Sequence, residues 1–112
     1  MADQETEKKI EQLQLLEQNL QAFLAQKQQF QTQEIEIDSA LGEIKDKKDA
    51  YKIVGNIMVN VDAKQLSEEL TQKKESLNIR IKSLEKQEEK IREKVKSIQA
   101  DVLKEIKTPE QK

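Results

Sequence analysis

One short segment interrupts an otherwise charged and glutamine-rich chain: Tyr51-Lys52-Ile53-Val54-Gly55-Asn56-Ile57-Met58-Val59-Asn60-Val61-Asp62. Apolar, largely β-branched residues flank a central Gly55-Asn56 pair. That dipeptide is a two-residue hairpin signal, because Gly takes positive φ freely and Asn takes it better than most residues. After the turn, Ile57, Val59 and Val61 fall on one face, and Met58 and Asn60 on the other. A lone hairpin of this size is marginal in water. With Ile53, Val54, Ile57, Met58, Val59 and Val61 it is also too apolar for an exposed loop, and bare strand edges invite pairing with other chains. The segment therefore reads as an oligomerisation hairpin, and sheet pieces from several subunits could close into a barrel that leaves no edge.

Both flanks carry heptads. On the N-terminal side Leu13, Leu16, Leu20, Phe23, Lys27, Phe30, Glu34, Ile37, Leu41, Ile44, Lys48 and Tyr51 follow alternating steps of three and four. With Leu13 at a, the d row Leu16, Phe23, Phe30, Ile37 and Ile44 is wholly apolar, whereas Lys27, Glu34 and Lys48 interrupt the a row. Polar a residues cost stability and fix register and partner. The second seam is cleaner: Leu70, Leu77, Leu84, Ile91 and Ile98 recur every seventh residue, with Ile81, Val95 and Val102 in the companion row beside Lys74 and Glu88. Asp62 and Gln65 form a capping box for its start, and Thr108-Pro109 a stop.

Two helices of similar length around a central turn bury their stripes most simply by folding back on one another. The predicted fold is mainly α, a long antiparallel two-helix coiled coil with a central β-hairpin that joins an intersubunit β-barrel. It forms a single domain over 1–112, with the first arm at about 5–50, the hairpin at 51–62, the second arm at 63–107 and a flexible tail at 108–112. A turn centred on Gly55-Asn56 brings Leu20 near Ile91 and Phe30 near Ile81. Charge agrees with this pairing: residues 1–50 carry 11 acidic and 6 basic groups (net −5), and residues 51–112 carry 11 acidic and 14 basic (net +3). Exposed pairs contribute at most about 1 kcal/mol each, so charge tunes the pairing and the apolar seam drives it.

Composition narrows the function. The 20 basic residues nearly balance 22 acidic ones, with net charge −2, which implies no general attraction to phosphate backbones or anionic lipid. Nucleic acid is not expected as a partner. No cysteine and no histidine are present, removing thiolate chemistry and the commonest general base and metal ligand. Acidic pairs such as Glu34 with Glu36 and Glu68 with Glu69 lack any enclosing pocket signal and read as solvated helix faces. The lysine-rich run from Lys86 to Lys96 is interleaved with Glu85, Glu88, Glu89 and Glu93, as in local ion pairing. No enzyme activity, metal or cofactor is expected. Met1 to Ile10 has no apolar core, and no stretch reaches the roughly 18 to 20 apolar residues of a membrane span. The expectation is a soluble cytoplasmic protein without a membrane partner.

A helix, a short hairpin containing Tyr-Lys-x-Val-Gly, and a second helix within about 110 residues resemble the beta-type subunits of the prefoldin (GimC) chaperone family, in an archaeal form. The most specific residues are Tyr51-Lys52-Ile53-Val54-Gly55 through Ile57-Met58-Val59, then Leu84-Glu85-Lys86-Gln87-Glu88-Glu89-Lys90-Ile91. The single hairpin marks the beta class, since alpha-type subunits carry two. The resemblance implies a hexamer of two alpha-type and four beta-type subunits whose hairpins form a double β-barrel body. It implies coiled-coil tips that hold unfolded or nascent proteins without ATP and pass them to a group II chaperonin.

On that resemblance Tyr51, Ile53, Val54, Gly55, Ile57, Met58, Val59 and Val61 serve assembly. The client-binding tips would be Ile10, Leu13, Leu15, Leu16, Leu20, Phe23 and Leu24 on the first arm, with Val95, Ile98, Val102, Leu103 and Ile106 on the second. Ile10, Leu15, Leu24, Leu103 and Ile106 lie off the seam, whereas the others double as seam residues that a splayed tip would expose. The rival reading is a structural coiled-coil tether or adaptor whose arms bind one defined partner. A tether gains nothing from an apolar sheet-forming segment in mid-chain.

Overall fold

The computed structural model describes residues 4–107. Its elements are α1 (Gln4–Ile44), β1 (Asp49–Val54), β2 (Ile57–Asp62) and α2 (Ala63–Lys107). Runs of Gln, Glu, Lys and Leu favour the helices, and Glu5 and Glu7 in the first turn of α1 suit the positive end of its dipole. The hydroxyls of Thr32 and Thr71 donate to the carbonyls of Gln28 and Ser67, four residues back, so neither helix leaves them unsatisfied.

The first helix stops earlier than the expected arm end near residue 50. Asp46 adopts φ +64° and Lys47 N–H donates to the Ile44 carbonyl at 3.2 Å, which turns the chain out of the helix. Lys48 and Tyr51 keep the heptad spacing but lie beyond this turn, and both are exposed. At the start of α2 the Asp62 carboxylate caps the helix by accepting the Lys64 N–H at 3.3 Å, two residues on and not at Gln65 as the capping box expected. The Ala63 N–H donates to the Lys48 carbonyl at 3.0 Å, tying the helix start to the entry of β1. Residues 108–112, including the Thr108-Pro109 stop and the expected tail, lie outside the described residues.

Contacts divide the chain into two units. In the unit formed by Gln28–Lys82, β1 and β2 pair antiparallel from Asp49 opposite Asp62 to Val54 opposite Ile57. The loop is therefore Gly55-Asn56, and Gly55 alone has positive φ, at +63°. This is the type II′ pattern. Directly opposed residues share a face, so Ala50, Lys52, Val54, Ile57, Val59 and Val61 line one face, and Tyr51, Ile53, Met58 and Asn60 line the other. The base of the first face packs on α2: Ala50, Ala63 and Leu66 are buried together, with Ile44, Val61 and Leu70 against them. Ile37, Leu77 and Ile81 are buried too, and the Arg80 guanidinium lies 5.9 Å from the centre of the half-buried Phe30 ring.

In the unit formed by Met1–Lys27 and Ser83–Lys112, the described core is Leu16, Ile98 and Val102, with Leu13, Ile91 and Val95 packed on it. Here Lys9 pairs with Glu105 and Lys27 with Glu88, so partner numbers fall along α2 as they rise along α1, as antiparallel helices require. Every seam position of α2 from Leu70 to Val102 is buried or half-buried, Lys74 and Glu88 included. Knob-like side chains alternating three and four apart bury one stripe per helix, the coiled-coil arrangement expected from the heptads.

Candidate interaction surfaces

The hairpin displays its apolar side chains to solvent. Tyr51, Ile53, Val54, Ile57, Met58 and Val59 are between 40 and 71% exposed, on both faces, whereas Val61 is half-buried against α2. The sheet has two strands, so each also has an outer edge free of a neighbour among the described residues. Lys52 and Glu69 make a 2.9 Å ion pair that links β1 to α2. A face this apolar on both sides has the composition of a surface made to be covered.

The helix ends are sorted more sharply than the sequence allowed. Of the twelve tip candidates, Leu16, Ile98 and Val102 are buried and Leu13, Leu20, Phe23, Leu24 and Val95 half-buried, so seam packing occupies them. Ile10, Leu15, Leu103 and Ile106 are 38 to 58% exposed. Leu24 thus widens the seam, while the other off-seam residues face outward.

Polar groups complete the seam. Lys27 Nζ lies 3.4 Å from Glu88 and 3.8 Å from Glu85, and the Arg92 guanidinium donates twice to Glu88, at 2.8 and 3.2 Å. The Arg92 hydrogen bonds, with help from Lys27, hold the Glu88 carboxyl below the usual carboxylate range against the opposing effect of its partial burial. Asp38 accepts from Lys74 at 2.6 Å and raises the lysine pKa. The acidic first half and basic second half predicted attraction by net charge, yet Lys9 and Lys27 of α1 pair with glutamates of α2. Local seam geometry decides these pairs, because more distant surface charges are screened within roughly 10 Å.

Three groups near the helix ends escaped the sequence reading. Thr6 Oγ1 donates to one oxygen of Glu105 and Lys9 Nζ to the other, both at 2.5 Å, and this hydrogen bond raises the Lys9 pKa. Thr6 stands one heptad before Leu13, Lys9 one before Leu16, and Glu105 one after Ile98. Extending the rows by one repeat would have found all three. Ile35 and Ile79, off the seam and strongly exposed, were also missed. Among the described residues no group of three or more His, Cys, Asp or Glu is placed to hold a metal, and no helix is long and apolar enough to cross a membrane.

A family model described as prefoldin subunit matches residues 7–108. The chain belongs to the prefoldin family. Prefoldin is a chaperone family, and the chain is accordingly a prefoldin chaperone subunit. Curated prefoldin relatives include a prefoldin subunit beta of Archaeoglobus fulgidus, 43% identical over 88 residues, covering 76% of each chain. Another, from Methanospirillum hungatei, is 36% identical over 107 residues, covering 90% of this chain and 89% of its own. The crystal structure of the prefoldin beta subunit from Thermococcus strain KS-1 superposes with a TM-score of 0.83 at 32% identity, over 91% of this chain and 92% of that one. The beta-type prefoldin resemblance drawn from the hairpin block and the second arm is thus confirmed, as is the helix–hairpin–helix fold.

Proposed function

We propose that the chain is the beta-type subunit of a hexameric, ATP-independent holdase, four copies assembling with two alpha-type subunits through their hairpins. The hairpins close into a shared β-barrel body, and Tyr51, Ile53, Val54, Gly55, Ile57, Met58, Val59 and Val61 make the contacts. The helix ends capture unfolded or nascent chains and pass them to a group II chaperonin in the cytoplasm. The chain works as one domain, its arms and hairpin having separate tasks, and its action involves no catalytic step, cofactor, nucleic acid or membrane.

The observation that carries this reading is the hairpin: two open strand edges and apolar side chains exposed on both faces, in a chain whose relatives are named as subunits. Burying the exposed part of each such side chain is worth up to about 1.5 to 2 kcal/mol, which favours assembly. Native mass spectrometry of the chain isolated with its partners from its own cells tests it. The expected particle holds four copies of this chain and two of a longer subunit, and it slows aggregation of several unrelated denatured proteins. A simple dimer, or a complex with one unrelated protein, would overturn the reading in favour of a tether.

A further inference from the structure

The end of the seam is a polar layer with a closely covered threonine in it. Thr6, in the first turn of α1, is 2% exposed, less than Leu16, Ile98 or Val102 at 8 to 9%. Glu105, near the described end of α2, lies against it. The Glu105 carboxylate joins the layer, one oxygen taking the Thr6 hydroxyl and the other the Lys9 ammonium. Asp101 and Glu5 add attraction on Lys9.

Local forces do not favour this choice of residues. Threonine is a weaker helix former than the leucines in the same rows, and polar residues at seam positions lower coiled-coil stability. Their gain lies across the seam, in a clasp of α1 to α2. Ile10 and Ile106 directly follow Lys9 and Glu105, and residues that follow facing d positions on antiparallel helices run along the same flank of the seam. Both are exposed, whereas Leu16, Ile98 and Val102 behind the clasp are not.

Resting on the holdase reading, we infer that Thr6, Lys9 and Glu105 are positioning residues. They keep the seam shut, so that clients are held by the outward aliphatic set Ile10, Leu15, Leu103 and Ile106 and not by seam side chains released through splaying. The occupant is an unfolded chain with apolar side chains, met by isolated aliphatic groups set among charged ones.

The chain has no cysteine, so Lys9→Cys with Glu105→Cys gives a pair that a flexible bismaleimide can bridge within the assembled complex. The probe is insulin reduced with dithiothreitol, which leaves the thioether bridge intact. Without the bridge, amide exchange over 95–104 should quicken about tenfold and protection of insulin should fall. With it, both should return to within about twofold of the unmodified complex. Ile10→Asp with Ile106→Asp should lower protection and leave exchange unchanged. The inference is overturned if bridging abolishes protection that the unbridged variant retains, if exchange in the unbridged variant matches the unmodified complex, or if the aspartate pair protects fully. Exchange needs no client. An unmodified complex that protects nothing therefore defeats the holdase reading, and the exchange result still judges the clasp.

Discussion

Gly55 shows how one backbone angle shapes the hairpin proposed to drive assembly. A Cβ built there meets nothing within 4 Å, so space does not exclude a side chain; the φ of +63° does. A β-branched residue in this region is strained by about 1 to 3 kcal/mol. Gly55→Val should therefore open the turn, separate Val54 from Ile57 and reduce the yield of assembled complex, while circular dichroism shows nearly the helix content of the parent. Undiminished yield would show that assembly does not need this turn. The Gly55-Asn56 turn was readable in the sequence because its dipeptide is distinctive, although only Gly55, and not Asn56, takes the positive φ. Asp46 was not readable. It occupies a left-handed position usually given to Gly or Asn, and an Asp among Lys45, Lys47 and Lys48 carries no mark of that role.

Between the helices, the apolar rows were legible because burial at every third and fourth position leaves a periodic trace, and the buried Leu77, Ile81, Leu84, Ile98 and Val102 lie on those rows. The same periodicity ran past the true end of α1 through Lys48 and Tyr51, since spacing registers side chains and not a turn of the backbone. It also stopped short of Thr6, Lys9 and Glu105, because a polar layer looks like an exposed one until its partners are known. The Lys27–Glu88–Arg92 cluster lies between these extremes: its polar a positions were visible, and its partners were not. Its effect on stability has a definite sign with pH. Glu88 has a carboxyl pKa below its ordinary 4.5, so its contribution is full above that value and disappears as the pH falls through the lowered one. Glu88→Gln should cost about 1 kcal/mol near neutrality, and its urea midpoint should converge on that of the parent as the solution is acidified. A gap that stays constant down to the acid limit would rule out the ionised Glu88 as the source.

At the scale of the molecule, the two exposed apolar surfaces belong to different units. The hairpin rests on Ala50, Ala63 and Leu66 in one, and the helix ends on Leu16, Ile98 and Val102 in the other, with no residue in common. Substitutions without shared partners tend to act independently. Assembly and client capture should therefore be separable by deletion. Removing residues 1–12 and 99–112 takes away Ile10, Leu103, Ile106 and the Thr6–Lys9–Glu105 clasp, but leaves every residue of the hairpin and of the core beneath it. The truncated chain should still form complexes of full stoichiometry by native mass spectrometry, because the strand edges proposed to pair are intact. Light scattering should show that those complexes no longer slow the aggregation of denatured proteins. Full protection by the truncated complex would move client capture to other exposed apolar groups, with Ile35 and Ile79 the first to examine. Loss of assembly would mean instead that the terminal turns support the hairpin through the length of both helices.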